Sequence, residues 1–167
     1  LLTKDLSLEE RSKILKKLIK IHRNLKFFDT AIGFARKLVR NFPHHRFSTE
    51  ARIQIGELLY AKGDYPQAIQ ELVPLRRLVD KDNWSSIQFC IAESYQSLGD
   101  YGSAKREFLK MIYNPKGSIN WIASAYYKLA DCFEAEGNYL KAIQELETIQ
   151  NKFGSTSDWG TQAGQRI

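Results

Sequence analysis

Long apolar runs are missing from this 167-residue sequence. No stretch approaches the roughly 20 apolar residues that a membrane-spanning helix requires, so a membrane-spanning fold is excluded. A composition of 43% hydrophobic and 26% charged residues instead predicts a soluble helical protein. Because the sequence opens on Leu1 and closes on Ile167, we expect a piece of a longer protein, and any membrane contact would need an anchor outside these residues.

Residues that carry catalysis or hold metals are also scarce. The two cysteines, Cys90 and Cys132, lack CxxC spacing, which favours buried free thiols over a disulfide or a metal site. Of the three histidines, His44 and His45 are adjacent in a predicted linker without acids at metal-ligand spacing, and His22 stands alone. No GxGxxG, P-loop, GxSxG or HExxH motif occurs. The sequence therefore predicts no cofactor, no metal and no enzymatic activity.

Positive charge is concentrated in the first part of the chain, although the net charge of the whole is only +6. Residues 1–46 hold twelve Lys and Arg against four acids, a balance of +8, whereas the remainder holds thirteen against fifteen, a balance of −2. In an elongated fold this pattern makes the first end basic, which suits an acidic partner or an anionic surface.

Four similar segments recur along the chain at nearly equal intervals, and each has an aromatic residue three positions before an alanine. The aromatic residues are Phe28, Tyr65, Tyr101 and Tyr139, and the alanines are Ala31, Ala68, Ala104 and Ala142. In the last three segments a glycine stands two positions before the aromatic residue, where a helix can end with a positive φ, and an Asp or Asn follows as a cap. Each segment therefore predicts two helices joined by a tight turn.

Hydrophobic periodicity gives the extent of these helices. Helices are predicted near residues 7–25, 28–41, 47–62, 65–79, 84–98, 101–113, 119–136 and 139–152. Pro74 falls inside the fourth of them and should kink it or end it early, because proline cannot donate the helical hydrogen bond. A stretch that starts near Ser157 and Asp158 predicts one more helix, which would cover the apolar face of the last hairpin.

The repeated pattern resembles that of the tetratricopeptide repeat family, with a small residue after Leu or Ile, an aromatic residue three later, then Gly-Asp-Tyr and Ala. The resemblance implies an all-α, right-handed superhelical solenoid of antiparallel helix pairs. We expect one domain over residues 1–167, with four repeats at about 12–45, 49–82, 85–118 and 123–156 and a partial capping helix after them. The first repeat departs from the pattern because Lys26 replaces the glycine.

The resemblance also implies a function, namely a scaffold that binds a protein or peptide in the groove lined by the first helix of each pair. The family's groove positions, carried over residue by residue, form three rows: Lys16, Ile53, Phe89 and Tyr127; Lys20, Glu57, Glu93 and Asp131; and Arg23, Tyr60, Gln96 and Glu134. The hypothesis is that aromatic residues anchor a peptide whose Lys or Arg side chains meet the acids. The alternative is that the aromatics pack between neighbouring helices and the acids are solvated.

The narrower resemblance concerns the long repeats and their joints, Phe42-Pro43 and Phe153-Gly154. These are similar to bacterial outer-membrane-assembly lipoproteins and to periplasmic proteins of the Tol-Pal system, which implies an envelope location, with the cytoplasm as the alternative.

Two other interactions stay open. Self-association could join the basic end to the acidic groove. The basic helix over residues 11–23 could instead dock on nucleic acid or an anionic membrane, although no zinc finger or RNA-binding motif accompanies it.

Overall fold

The computed structural model describes residues 7–43, 46–113 and 118–167, and all regular secondary structure in these ranges is α-helical. The predicted all-α fold class is therefore confirmed. The described helices are α1 (Leu8–Asn24), α2 (Phe28–Asn41), α3 (Arg46–Lys62), α4 (Tyr65–Leu75), α5 (Lys81–Ser97), α6 (Tyr101–Ile112), α7 (Ile119–Ala135), α8 (Tyr139–Phe153) and α9 (Asp158–Gly164). Within the described ranges, no helix combines the length and the apolar character needed to cross a bilayer.

The helix ends follow the predicted bounds except around α4 and α5. Helix α4 ends at Leu75, directly after Pro74, and turn residues follow it. This early end was predicted, since proline removes a backbone donor and its ring crowds the preceding turn. Helix α5 begins three residues before its predicted start because the Asp80 carboxylate caps it, accepting the Asn83 backbone N–H at 3.0 Å.

The chain folds as two compact units, Leu1–Val79 and Asp80–Ile167. In the first unit, α1 packs on α2, α2 on α3, and α3 on α4. In the second unit the same order continues from α5 to α9, and α5 also contacts α7. Each unit has its own hydrophobic core, built around Leu38, Ile55 and Leu58 in the first and around Phe108, Leu129 and Leu146 in the second.

The helix α9 confirms the predicted extra helix after the fourth hairpin. Ser157 caps it, because its hydroxyl accepts the Gly160 backbone N–H at 3.0 Å. The helix packs on α8 and buries Gly160 and Ala163. The apolar face of the last hairpin is therefore covered within the second unit.

The turn inside each hairpin needs a backbone with positive φ. Gly63, Gly99 and Gly137 adopt φ values of 91°, 76° and 74° at this position. The first hairpin has Lys26 there, and this residue adopts φ 60° despite its side chain. A side chain in this region costs free energy because its Cβ crowds the backbone.

We expect Lys26→Gly to raise the free energy of unfolding of the protein by about 0.5–1 kcal/mol, since glycine adopts this φ without the clash. Thermal unfolding followed by circular dichroism measures the change. Gly99→Ala, which introduces the same clash in another hairpin, should shift the transition the opposite way. A lower transition temperature for Lys26→Gly would contradict the interpretation.

Small residues set the distance between the two helices of a hairpin. A Cβ atom on Gly56 would overlap the Leu72 side chain, so a larger residue at position 56 would have to displace Leu72 or move α3 away from α4. Leu72 itself is fully buried. Gly33, in contrast, lies on the exposed side of α2, and nothing stands within 4 Å of a Cβ built there.

The two glycines give a matched pair of substitutions. Gly56→Ala should lower the free energy of unfolding by about 1–3 kcal/mol, because the added methyl overpacks the α3–α4 contact. Gly33→Ala should raise it by about 0.5–1 kcal/mol, because alanine favours the helix and meets no neighbour. Urea unfolding of both variants measures the changes, and destabilisation of both to the same extent would show that Gly56 is not a close contact.

Candidate functional site

The first unit carries six of the predicted groove residues, on α1 and α3. Lys16 pairs with Glu50 of α3, and its ammonium lies 3.7 Å from the centroid of the Phe47 ring. Lys20 and Arg23 are exposed on α1. The remaining three residues, Ile53, Glu57 and Tyr60, lie on α3.

The three α3 positions differ in how much of their surface is exposed. Ile53 is buried, with only 6% of its surface accessible. Glu57 and Tyr60 are half-buried, and the Tyr60 ring lies tilted against Tyr65 with 6.0 Å between centroids. The accessible part of this surface in the first unit is therefore mainly basic and lies on α1.

In the second unit, aromatic groove residues pack against the next first helix. The Phe89 ring on α5 lies 5.2 Å from the Trp121 ring on α7, measured between centroids. The Tyr127 ring on α7 lies 5.8 Å from the Trp159 ring on α9, and the Tyr127 hydroxyl donates to the Trp159 carbonyl. Burial also raises the pKa of Tyr127 above its ordinary value.

The acidic groove residues of the second unit pair with basic residues about one repeat further along the chain. A Glu93 carboxylate oxygen on α5 lies 2.8 Å from the Lys128 ammonium on α7. Asp131 and Glu134 on α7 both lie 2.8 Å from the guanidinium of Arg166, which follows α9. The acids are therefore not simply solvated, and cations of the chain itself offset their mutual repulsion.

The two sets of contacts repeat with the period of the sequence. Phe89 and Trp121 reappear one repeat later as Tyr127 and Trp159, and Glu93 and Lys128 reappear as Asp131 and Arg166. The remaining predicted residue in this unit, Gln96 on α5, is half-buried. The structure thus brings four of the six second-unit positions, Phe89, Tyr127, Glu93 and Asp131, into one repeated pattern of side-chain pairs, and Glu134 adds a second contact to Arg166.

Sequence reasoning overlooked the partners in this pattern. Aromatic residues recur at nearly equal intervals near the start of successive first helices, as Phe47, Trp84, Trp121 and Trp159. This spacing could have been recognised in the sequence, because three tryptophans separated by about one repeat each are not expected by chance. Lys128 and Arg166 are also one repeat apart, but Arg166 lies beyond the last complete hairpin.

In the described part of the chain, the cysteine and histidine side chains are buried or packed against other residues. Cys132 is buried, and burial raises the pKa of its thiol to about 12, which makes it a poor nucleophile. Both cysteines are thiols outside any disulfide, as predicted, although Cys90 is only half-buried. The His22 ring lies against Phe34, and its Nδ1 is 2.8 Å from the Leu18 carbonyl oxygen. The predicted linker histidines, His44 and His45, lie outside the described residues.

No group of three or more His, Cys, Asp and Glu residues among those described could hold a metal ion. The contacts that the candidate residues do make are stacking, ion pairing and hydrogen bonding between helices. Contacts of these kinds can also hold another polypeptide.

The sequence comparisons agree with the repeat pattern. Residues 124–156, which span most of α7 and all of α8, match the family model described as "Tetratricopeptide repeat". No curated protein matches the chain in sequence.

Solved structures with the same fold cover almost the whole chain. Nearly identical TPR-like repeats ascribed to a kinesin light chain of Podosopora anserina match with a TM-score of 0.68 and 15% identity, over 93% of this chain and 84% of theirs. The apo form of RapI matches with a TM-score of 0.74 and 13% identity, over 99% and 70%. MamA matches with a TM-score of 0.59 and 18% identity, over 95% and 83%. The chain therefore has a tetratricopeptide-like helical-repeat fold.

Proposed function

We propose that this protein is a non-catalytic scaffold that binds a peptide or protein segment on the exposed face of its first helices. The observation that carries the proposal is the repeated set of half-buried side chains on α5 and α7. These side chains are fixed by neighbours on the next helix, yet each leaves part of its surface accessible. Side chains that are already ordered lose little entropy when a partner binds, which favours affinity.

Each unit offers its own kind of contact. In the second unit, the partner would lie on the Phe89 and Tyr127 edges and compete with Lys128 and Arg166 for the acids. A partner segment with Lys or Arg side chains can make these contacts, since it replaces one cation by another. In the first unit, the exposed Lys20 and Arg23 suit an acidic or carboxylate-rich segment of the partner.

The test uses peptides selected for binding from a random library displayed on phage. We expect the Phe89→Ala, Tyr127→Ala double variant to bind a selected peptide at least about tenfold more weakly, because truncated aromatic anchors typically cost about 2 kcal/mol or more each. Isothermal titration calorimetry measures the affinity. The control is Tyr139→Ala with Leu140→Ala, which removes an exposed aromatic and an exposed apolar side chain from α8, outside the candidate face.

Because Phe89 and Tyr127 also pack against tryptophans, circular dichroism must first show that the double variant keeps its helices. A milder variant, Tyr127→Phe with Phe89→Leu, keeps most of the packing and should show a smaller loss of affinity. An affinity within about twofold of the original in a fully helical double variant would place the binding face elsewhere.

The cellular setting is the narrower part of the proposal, namely a role in bacterial envelope assembly. The Phe-Pro and Phe-Gly joints between long repeats support it. Reading the N-terminus encoded by the full-length gene tests it directly. A secretory signal or lipid-attachment cysteine would support an envelope location, and a cytosolic start without either would contradict it.

A second candidate function rests on the exposed basic residues of α1, which include Lys13, Lys17, Lys20 and Arg23. These could meet the phosphates of nucleic acid or of an anionic membrane. Binding to duplex DNA or to anionic vesicles that falls steeply with added salt would favour this candidate, because phosphate contacts release counterions.

A further inference from the structure

Three basic side chains lie together on the exposed side of α2. Arg36, Lys37 and Arg40 are all exposed, and their spacing places them on one side of the helix, with Gly33 one turn earlier on the same side. The opposite side of the helix faces the core, where Ala35 is fully buried. We call these four residues, Gly33, Arg36, Lys37 and Arg40, the α2 basic face.

The repeat itself does not require these charges. When the hairpins are aligned on their repeated alanines, the positions of the three basic residues can be compared in all four second helices. The later hairpins hold at most one basic residue each at these positions: Val73, Pro74 and Arg77; Leu109, Lys110 and Tyr113; and Glu147, Thr148 and Asn151. The positive charge is therefore particular to α2 and not a condition of the fold.

Stacking of hairpins leaves this side of a second helix open. Helix α6 has α7 packed on it, and its equivalent residues Lys110 and Tyr113 are exposed. Helix α8 has α9 packed on it, and its equivalent residues Glu147 and Asn151 are exposed as well. The exposure of the α2 basic face therefore follows from its place on a second helix, since the same side is open where a neighbouring helix is present.

The charge of the α2 basic face is not balanced by other described residues. Within the described ranges, none of its three basic side chains forms an ion pair, whereas Lys16 of α1 pairs with Glu50. Asp29 is the one acidic residue in the sequence of α2, and the Lys62 ammonium of α3 lies 2.5 Å from its carboxylate. The face therefore keeps three positive charges for an anionic ligand.

The composition of the face selects the phosphates of nucleic acid among anionic ligands. Its four residues include no apolar side chain, whereas the centre of a protein–protein interface is apolar and depleted in charge. Anionic membranes are recognised by clusters of about four to eight Lys and Arg, and this face holds three. Contacts to a nucleic acid backbone need positive charge alone, and each phosphate can accept two N–H bonds from one guanidinium.

We propose that the α2 basic face binds the phosphate backbone of nucleic acid without reading its base sequence. Arg36 and Arg40 lie about 6 Å apart along the helix axis, with Lys37 between them, and the three side chains contact neighbouring phosphates. Gly33 lets the backbone approach the helix closely, because it has no side chain and nothing stands within 4 Å of a Cβ built there.

This surface is separate from the proposed groove and from the basic residues of α1. The groove residues lie on the first helices, whereas the α2 basic face lies on a second helix. Lys13 and Lys17, which support the second candidate function, lie on α1. A failure of this proposal leaves the groove function intact, and variants on each helix distinguish the two basic surfaces.

The probe is a fluorescein-labelled DNA duplex of about 20 base pairs, prepared in two unrelated sequences and followed by fluorescence anisotropy between about 20 and 200 mM NaCl. We expect the two duplexes to bind with affinities within about twofold of one another, because no base is contacted. Three phosphate contacts predict that the logarithm of the binding constant falls against the logarithm of the salt concentration with a slope of about −2.7.

Substitutions on the face measure its contribution. Arg36→Gln with Arg40→Gln should weaken binding at least about fivefold at the lowest salt concentration and make the slope shallower by about 1.8, because two phosphate contacts are lost. Arg36→Lys with Arg40→Lys keeps the charge and should keep the slope. If circular dichroism shows that the glutamine pair loses helicity, Arg40→Gln alone should make the slope shallower by about 0.9.

Two charge-matched controls locate the surface. Arg106→Gln with Lys110→Gln removes two cations from the exposed side of α6, and Lys13→Gln with Lys17→Gln removes two from α1. Each pair lowers the net charge as much as the α2 variant does. Each should nevertheless leave the affinity within about twofold and the slope unchanged, since these residues contact no phosphate.

Four results would overturn the proposal. One is no binding of either duplex at about 20 mM salt, where phosphate contacts are strongest. Another is an α2 variant that behaves like its α6 control. A loss of binding in the α1 pair alone would assign the phosphates to the second candidate surface. Tighter binding of anionic vesicles or of polyglutamate than of DNA at the same salt concentration, lost in the α2 variant, would assign the face to a membrane or to an acidic protein.

Discussion

The aromatic contact between successive first helices is the interaction on which the candidate surface of the second unit depends. Phe89 on Trp121 and Tyr127 on Trp159 hold α5, α7 and α9 in a common register. Because the ion pairs of Glu93 and Asp131 repeat with the same period, the acids and the aromatic rings stay aligned from one hairpin to the next. The residues that would contact a partner therefore also stabilise the repeat.

Close packing also determines which sides of the first helices are covered in the first unit. Gly56 allows α4 to approach α3 on one side, and α2 covers another side of the same helix. Helix α1 has its partner α2 but leaves Ile14 and Ile21 open. A repeat fold buries its apolar surface by stacking each hairpin on its neighbours.

The hairpins could be predicted from the sequence because their determinants are local. Glycine and a capping residue before Tyr65, Tyr101 and Tyr139 mark the turns, and Pro74 marks an early helix end. Lys26 shows the limit of this reasoning, because it adopts the turn conformation that glycine adopts elsewhere. The start of α5 was missed since a single Asp cap moved it by one turn.

The candidate surface was less predictable because its contacts join residues far apart in the chain. The choice of Phe89 and Tyr127 came from the groove positions that the family resemblance implies, but their tryptophan partners required the position of the next helix. The pairing of Arg166 with Asp131 and Glu134 depends on α9, which belongs to no complete hairpin. The sequence also did not reveal that Ile14 is exposed, because apolar residues on one side of a helix have the same spacing whether or not another helix covers them.

Double-mutant cycles in the second unit test the account most directly. Unfolding free energies would be measured for alanine variants of Phe89, Trp121, Tyr127 and Trp159, singly and in pairs. The account predicts coupling of about 0.5–1.5 kcal/mol for Phe89 with Trp121 and for Tyr127 with Trp159, and almost none for Phe89 with Trp159. Coupling that is absent from the two contacting pairs, or equally strong in the third pair, would contradict the repeated contact between first helices.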